Sequence, residues 1–472
     1  MKSQVQSAVV SFVMLFCITC MRAQTFTTLH NFAGHPNDGA GPVAALTLSG
    51  NALYGTTGSG GSNFYGTIFK VNTDGTDFTN LYNFNFFGGE IPRSCLILLD
   101  GILYGTTVAG SASLGNDGTV FAINADGTDY STLYSFSGSD GFQPAAGLIL
   151  SSGTLYGTTY RGGLGGNSGS GTIFSINTDG SDFANVYDFG NDDGVNPEDG
   201  LVSDGNTFYG TTYNGGASGF GTIFEVNING TDFNIIHSFT TITPNDLLIY
   251  TNSDGANPSA DLTLSGNVLY GTTYYGGSSG SGSLFKINTD GTGFTNLYSF
   301  SAFANNGSNI FTNSDGRYPA AGLVLSGNTL YGTASGGGSS GNGTVFEINA
   351  DGSDFTVLHM FTMYDQTYYT NSDGAYPQAD LILSGNILYG TASTGGNGYG
   401  TVFALTLPSS TPAPIPLNFA LKNGQLVLSW NDPTFALQSA SSLTGSWTNL
   451  SSASSPYTNK LTGAQVFFRL VH

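Results

Sequence analysis

The sequence predicts an all-β protein, built as a seven-bladed β-propeller with a small β-sandwich-like module at its C-terminus. Three observations support this. A close variant of Leu-Tyr-Gly-Thr occurs seven times, each repeat carries four strand-like segments, and the N-terminal segment matches a strand that the last repeat lacks. A tandem period near fifty residues indicates one supersecondary unit copied along the chain. The tyrosines of the repeat, 50 to 61 residues apart, are Tyr54, Tyr104, Tyr156, Tyr209, Tyr270, Tyr331 and Tyr389.

The first repeat shows the predicted strand pattern. Its four strands are expected over residues 46–48, 52–57, 66–72 and 77–84, and Asp74-Gly75 supplies the tight turn between the last two. Four up-and-down strands repeated seven times are typical of propeller blades. An open β-solenoid is the alternative, but its coils are usually shorter than this period.

The two ends of the repeat region predict closure of the ring. The seventh repeat ends after its third strand, residues 400–407. Residues 26–32 (FTTLHNF) match residues 78–84 (FTNLYNF), the fourth strand of the first repeat. We therefore expect the N-terminal strand to complete the last blade, which would remove two exposed sheet edges.

Composition excludes two classes of partner. The chain has 31 Asp and Glu against 10 Lys and Arg, a net charge of −21. Such a surface repels nucleic acid and anionic membranes. Cations, neutral ligands and protein partners remain open, and we expect a monomer. Aromatic residues at 13% and charged residues at only 9% argue against disorder.

The N-terminal segment predicts export from the cell. Lys2 followed by an apolar stretch over residues 8–20 predicts a signal peptide over residues 1–24, with an uncleaved anchor as the alternative. We therefore expect a secreted or cell-surface protein with no membrane span after signal removal. Cys95 is then the one remaining cysteine, so no internal disulfide is expected.

Beyond the predicted propeller at residues 25–407, the composition changes. Residues 408–416 (PSSTPAPIP) predict a stiff Pro-rich linker. Residues 417–472 contain both tryptophans and strand-like segments at 426–430, 436–439 and 466–470. They predict a separate β-module distantly similar to fibronectin type III, for which anchoring, sorting and adhesion all stay open.

The predicted binding site lies on the long loops. Connections after the second and fourth strands emerge on one face and are variable, and three of them are lengthened over residues 240–252, 301–313 and 362–371. Variable loops on a rigid scaffold usually carry binding, and tyrosine gives large contact area at low entropy cost. The alternative is that these loops pack on one another and their tyrosines are merely half-buried. The predicted ligand-binding residues are Tyr160, Tyr213, Tyr250, Tyr274, Tyr275, Phe311, Tyr368 and Tyr369.

An aspartate recurs before the first strand of six repeats, in the pattern Asp-Gly-x-x-Pro. A ring of such carboxylates at the mouth of the central channel would bind Ca²⁺. The alternative is that Asp-Gly only forms the turn between blades. No other cofactor is expected. The six candidates are Asp38, Asp140, Asp193, Asp254, Asp315 and Asp373.

No catalytic motif is present. Cys95, Asp261 and Asp380 occupy one repeat position that is otherwise Ala or Gly, next to a core leucine. Cys95 is expected to be a buried, inert thiol. The two aspartates would make glycoside cleavage conceivable only if they lie within about 10 Å of each other. His30, His237 and His359 align with tyrosines of other repeats, which favours packing on the outer strand over a catalytic role.

The strings 269–273 (LYGTT), Gly276-Gly277 and 282–285 (GSLF) resemble the GloVer tandem repeat of secreted bacterial proteins. The resemblance covers roughly residues 40–405. It implies an extracellular, propeller-like protein and brings no catalytic residues. The double glycine is also similar to kelch repeats, although the repeats contain no Trp. Three functions follow as hypotheses: a binding or adhesion protein, most simply for carbohydrate; an enzyme acting on extracellular polysaccharide; or a structural protein that displays the C-terminal module.

Overall fold

The computed structural model describes residues 24–110, 116–244, 249–305, 310–365, 367–408, 417–422, 425–431, 435–442, 446–450, 453–460 and 466–471. The predicted signal peptide, except Gln24, and nearly all of the predicted linker lie outside these residues. The described chain separates into two compact units, one over Gln24–Leu407 and one after it. Nowhere in the described ranges is there a helix long and apolar enough to cross a membrane.

The unit Gln24–Leu407 contains seven four-stranded antiparallel sheets among its described residues, which we number 1 to 7 in chain order. The first strands are Thr47–Ser49, Ile97–Leu99, Ile149–Ser151, Val202–Ser203, Thr263–Ser265, Val324–Ser326 and Ile382–Ser384. The second strands are Ala52–Thr57, Ile102–Thr107, Thr154–Thr159, Thr207–Thr212, Val268–Thr273, Thr329–Ala334 and Ile387–Ala392. The third strands are Thr67–Asn72, Thr119–Asn124, Thr172–Asn177, Thr222–Asn227, Ser283–Asn288, Thr344–Asn349 and Thr401–Thr406. The fourth strands of sheets 1 to 6 are Thr79–Asn83, Ser131–Ser135, Ala184–Asp188, Asn234–Ser238, Thr295–Ser299 and Thr356–Met360.

The N-terminal strand Thr25–Asn31 is the fourth strand of sheet 7. It pairs antiparallel with Thr401–Thr406. Phe26 anchors it, because its ring stacks on His359 at 3.9 Å and on Phe403 at 5.1 Å between centroids. The segment that begins the described chain therefore completes the sheet formed by the last repeat.

The repeated Tyr-Gly-Thr motif is explained by core packing. The phenylalanine of each third strand is fully buried, and its ring lies against the glycine of the neighbouring second strand. In sheet 1 a Cβ added to Gly55 would lie 2.5 Å from the ring of Phe69 and 2.9 Å from Leu46. A side chain at this position would displace the ring, so the motif requires glycine here.

Hydrophobic clusters join consecutive sheets. The cluster between sheets 1 and 2 contains Tyr54 and Phe121, and equivalent clusters follow between each later pair. A further cluster joins sheet 7 to sheet 1 through Tyr389, Val402 and Phe69. The apolar core of this all-β, propeller-like unit thus lies between the sheets.

Short strand pairs also occur in the connections. Thr243–Pro244 pairs with Tyr250–Thr251, and Ala304–Asn305 pairs with Phe311–Thr312, so two of the three long inserts contain hairpin strands. Gly39–Ala40 pairs with Ser59–Gly60 beside sheet 1. In the part of the chain that the structure describes, one 3-10 turn is found, over Gly166–Ser168.

The C-terminal unit contains two three-stranded sheets. One sheet has Asn418–Lys422, Gln425–Ser429 and Tyr457–Lys460, and the other has Thr448–Asn449, Ala436–Ala440 and Phe467–Val471. Its small core includes Leu428, Trp430, Phe435 and Leu437. The three strands expected from the sequence correspond to described strands within one or two residues.

Candidate functional site

All seven sheets contribute to one cavity of about 540 Å³, the upper cavity. Its wall comes mainly from the short segments that lead into the first strands, such as residues 43–45, 145–147, 259–261 and 378–380. These segments begin at the end of the sheets where the second strands finish. We call this end, where the connections after second and fourth strands lie, the long-loop end.

Four of the eight predicted ligand-binding residues line the upper cavity, namely Tyr160, Tyr213, Tyr274 and Tyr275. Three of them directly follow a second strand, and Tyr275 is the next residue in sheet 5. The ring of Tyr274 stacks on Tyr318 with centroids 4.8 Å apart, and Tyr275 meets both rings edge-on. Tyr318 was not among the residues predicted from the sequence, because its position just before Pro319 gives no signal for this stacking.

The other four predicted residues lie on the inserts and outside the cavity wall. Tyr250, Tyr368 and Tyr369 are more than half exposed, and Phe311 is 37% exposed. They belong to a wider pattern in the unit Gln24–Leu407. Its exposed large hydrophobic residues, apart from Ile235, all follow second or fourth strands and therefore lie at the long-loop end: Phe64, Phe86, Phe87, Leu164, Tyr250, Tyr275, Phe311, Met363, Tyr368, Tyr369 and Tyr399.

An asparagine fixes the base of each insert. The Asn252 side chain donates to the carbonyls of Thr240 and Gly255, and its Oδ1 accepts the N–H groups of Gly255 and Gly277. Asn313 and Asn371 make the corresponding bonds in the next two inserts. The aromatic tips thus extend from hydrogen-bonded bases.

Four carboxyl groups lie in the wall of the upper cavity, on Glu198, Asp199, Asp261 and Asp380. Asp261 Oδ1 accepts the N–H of Gly200 at 2.5 Å, and Asp380 Oδ1 accepts the N–H of Gly322 at 2.6 Å. Thr211 Oγ1 donates to Asp199 at 3.1 Å. Each of the three aspartate carboxyls is therefore held by a neighbouring donor.

Burial raises the pKa values of the three aspartate carboxyls, so they stay protonated up to a higher pH than usual. Burial, with the adjacent charge of Asp261, raises the pKa of Asp380 to about 7. Burial also raises the pKa of Asp261, and it raises that of Asp199 well above the ordinary range. Near neutral pH such groups can donate a hydrogen bond as well as accept one.

Asp261 and Asp380 also line a lower cavity of about 430 Å³. Its other walls are residues of the first strands, such as Ile149, Val202 and Leu264, and the leucines that directly precede first strands, Leu201, Leu262 and Leu323. The two carboxyls therefore belong to the walls of both cavities. Their separation could not be derived from the sequence, and the structure brings both into the wall of the same two cavities.

Glycines of other sheets make room for the larger side chains at this level. A Cβ added to Gly147 would lie 2.3 Å from Cys95 Sγ, and one added to Gly322 would lie 2.7 Å from Asp380 Oδ2. Asp261 covers Gly200 in the same way. Burial, reinforced by Asp261 and Asp380, raises the pKa of Cys95 to about 12, so the thiol stays protonated.

The six aspartates of the Asp-Gly-x-x-Pro pattern lie elsewhere. Each accepts hydrogen bonds from its own connection, and its carboxylate meets the aromatic or imidazole side chain of the preceding fourth strand; for example, Asp315 accepts from the Tyr298 hydroxyl at 2.7 Å and the Ser301 N–H at 2.8 Å. None of the six lines the upper cavity. The expected ring at the channel mouth is therefore not the observed geometry.

The three histidines of the fourth strands pair with these aspartates. His30, His237 and His359 place Nε2 at 2.9, 3.3 and 2.9 Å from carboxylates of Asp38, Asp254 and Asp373. Each imidazole also stacks on a phenylalanine, as expected for a packing position. Within the described ranges, no group of three or more His, Cys, Asp or Glu forms a set of metal ligands. Calcium binding by the six aspartates stays a prediction.

Fold and cavity together define a class: an all-β repeat protein with propeller-like sheets around one aromatic and acidic cavity. The model of the Gloeobacter/Verrucomicrobia repeat matches residues 14–167, 115–311 and 302–426, which is most of the chain. The protein belongs to this repeat family. The finer similarity to kelch blades stays a prediction.

No curated protein matches the chain. Among solved structures it is similar to a GH74 enzyme of Niastella koreensis, with 15% identity, 87% of this chain and 59% of that chain covered, and a TM-score of 0.49. It is also similar to PorZ, a surface component of the type-IX secretion system of Porphyromonas gingivalis, at 14% identity, 91% and 55% coverage and a TM-score of 0.45. A third similar structure is an oligogalacturonate lyase from Vibrio parahaemolyticus. It has 10% identity and a TM-score of 0.46, and the match covers 82% of this chain and 98% of that chain. At these identities and scores, the similarities carry no argument about activity.

Proposed function

We propose that this protein is an extracellular or cell-surface binding protein that takes a carbohydrate at the long-loop end of a closed, seven-bladed propeller. The observation that carries the proposal is the convergence of Tyr160, Tyr213, Tyr274 and Tyr275 on one cavity. The repeat family and the predicted signal peptide support the location outside the cell.

Two features support closure of the ring. The N-terminal strand pairs with the last repeat, and a hydrophobic cluster joins sheet 7 to sheet 1. The Thr391 hydroxyl of sheet 7 also donates to the carbonyl of Ala44, which leads into sheet 1. Closure places the beginnings of all seven first strands around one axis, and this arrangement gives a single cavity to which every sheet contributes.

The chemistry of the wall suits a sugar. Tyrosine rings offer flat faces for the C–H side of a pyranose and hydroxyls for its polar rim. The carboxyls of Asp261 and Asp380 lie deeper and can exchange hydrogen bonds with sugar hydroxyls in either protonation state. A volume of about 540 Å³ falls in the range typical of small-ligand sites.

The test is a glycan array probed with the full chain and with Tyr213→Ala and Tyr274→Ala variants. We expect binding to a defined glycan class that both substitutions abolish. Tyr399→Ala serves as a matched control, because Tyr399 is exposed at the same end but outside the cavity wall. An array without signal for the folded protein would refute carbohydrate binding.

A second candidate function is hydrolysis of an extracellular polysaccharide. It is favoured by the two carboxyls, Asp261 and Asp380, that share one cavity and have raised pKa values. Release of reducing ends from a bound glycan, lost in the Asp380→Asn variant while binding persists, would support it. Binding without any release would leave the first proposal standing alone.

A further inference from the structure

The arginines of the unit Gln24–Leu407 are distributed unevenly. This unit contains five basic residues: Lys70, Arg93, Arg161, Lys286 and Arg317. The two lysines lie in third strands, between the sheet axis and the outer edge. All three arginines instead lie at the long-loop end, in the segments around the upper cavity. In a chain with a net charge of −21, this unit thus places its three guanidinium groups at one end of the sheets.

Each arginine is linked to the aromatic wall. Arg93 lines the upper cavity itself. The guanidinium carbon of Arg161 lies 5.3 Å from the ring centroid of Tyr160, a wall residue. That of Arg317 lies 4.7 Å from the ring of Tyr318, which stacks on the wall residue Tyr274. A guanidinium group that lies over an aromatic face can still offer its N–H edges to a ligand.

Arg161 and Arg317 form no salt bridge with an acidic side chain among the described residues. Every salt bridge found there joins a histidine to an aspartate, and none involves an arginine. Arg317 Nε is buried and makes no hydrogen bond to any described residue. Arg93 is the partial exception, because its charge opposes the rise in pKa that burial gives Glu198. A buried donor without a partner is unfavourable, and an anion would relieve it.

The lysines show the contrast. Lys286 Nζ donates to the carbonyl of Ala350 at 3.2 Å, and Lys70 lies 6.0 Å from the ring centroid of Tyr54, so both serve contacts within the fold. Arginine, unlike lysine, binds carboxylate and sulfate through two parallel N–H bonds while its plane stays stacked. The use of arginine at the opening therefore points to recognition of an anionic group.

We propose that the ligand of the upper cavity is an anionic saccharide, whose carboxylate or sulfate groups bind Arg161 and Arg317 while its rings stack on Tyr160 and Tyr274. This rests on the proposed carbohydrate binding and adds the charge class of the ligand. The carboxyls of the wall oppose an anion less than ionised groups would, because burial raises the pKa values of Asp199, Asp261 and Asp380. Exposed charges farther than about 10 Å are largely screened at physiological salt.

The test uses the full chain and isothermal titration with three oligosaccharides of equal length: neutral, uronic-acid-containing and sulfated. We expect at least one anionic oligosaccharide to bind about tenfold or more tightly than the neutral one, and its affinity to fall at high salt. The double variant Arg161→Gln/Arg317→Gln should lose about tenfold or more in this affinity. Whether uronate or sulfate binds more tightly identifies the anionic group.

The control is Lys70→Gln/Lys286→Gln, which removes the same charge away from the opening and should leave the affinity unchanged. Circular dichroism and the urea midpoint report whether the variants fold; if Arg317→Gln unfolds the protein, Arg161→Gln alone carries the test. Equal binding of neutral and anionic oligosaccharides, unaffected by the arginine substitutions, would overturn the inference and leave carbohydrate binding intact. Absence of binding to all three classes would overturn both.

Discussion

Replacing Asp380 by asparagine should stabilise the fold at high pH and leave it unchanged at low pH. Burial and the neighbouring Asp261 raise the pKa of Asp380 from 3.8 to about 7. Below the lower value the carboxyl is protonated in both the folded and the unfolded state. Between the two values folding takes up a proton, so stability falls as pH rises, and the loss is complete above about 7.

The size of the effect follows from the shift. About three pKa units at about 1.4 kcal/mol each give an upper limit of about 4 kcal/mol. Asp380 is only half-buried, so contact with solvent reduces the penalty, and we expect a gain of about 2 to 4 kcal/mol at pH 8. Asparagine does not ionise, and its Oδ1 can still accept the N–H of Gly322 that Asp380 accepts at 2.6 Å.

Urea unfolding of the full chain, followed by circular dichroism at about pH 4 and pH 8, measures this difference. Asp192→Asn is the matched control, because Asp192 is exposed and outside the cavity wall, and it should show no such pH dependence. A difference between Asp380→Asn and the natural protein that is the same at both pH values would refute the reasoning.

Three further predictions concern the scaffold. Deleting residues 25–32 removes the fourth strand of sheet 7 and the buried Phe32, so the urea midpoint should fall and the free edge of Thr401–Thr406 should promote association in size-exclusion chromatography; an unchanged midpoint would contradict closure. Cys95 should react with iodoacetamide at pH 8 about a thousandfold more slowly than an unperturbed thiol until urea unfolds the chain, and rapid native alkylation would contradict its raised pKa of about 12. Gly322→Ala should destabilise by about 1 to 3 kcal/mol in urea, because the new Cβ would lie 2.7 Å from Asp380 Oδ2. Gly58→Ala, whose Cβ would have no contact shorter than 3.6 Å, should be near neutral, and equal effects would argue against the packing explanation.

Most of the fold could be predicted because its determinants are local and repeated. In the first repeat the third strand was expected at residues 66–72 and is Thr67–Asn72, and the second was expected and found at Ala52–Thr57. The pairing of Thr25–Asn31 with the last repeat was predictable from one aligned string. Because the pattern occurs seven times, a residue that departs from it in one repeat can be recognised as an exception to the other six.

The candidate site was predictable only in part. The four cavity tyrosines were found because residues that follow second strands share one end of the fold. The position of Arg317 and Tyr318 beside the cavity wall was not predictable. Arg317 lies over the ring of Tyr318, which stacks on Tyr274, and nothing in the sequence around Arg317 shows that Tyr274 lies beside it. Nor was the contact of Asp261 with Gly200, which joins residues 61 positions apart in different sheets.

The misplaced aspartate ring has a physical cause. Asp254 stands nine residues before the strand Thr263–Ser265, and the chain in between crosses from the outer edge of sheet 4 to the inner edge of sheet 5. Its carboxylate stays beside His237 of the outer strand, where Thr240 also donates to it. The position of Asp254 before a first strand in the sequence therefore did not show how far its carboxylate lies from the central cavity.

The positions that build the scaffold and the positions that line the cavity differ in how they vary. The buried phenylalanine of the third strand and the glycine it packs against recur in all seven sheets, because each sheet meets its neighbours through the same contact. In the cavity wall, by contrast, the residue that follows the proline recurring before each first strand differs. It is Arg93 before sheet 2, Glu198 before sheet 4 and Gln378 before sheet 7. A requirement for packing alone would repeat with the sheets. Side chains that differ from sheet to sheet around one opening are what recognition of an asymmetric ligand requires, and this is where substitutions should alter binding without altering the fold.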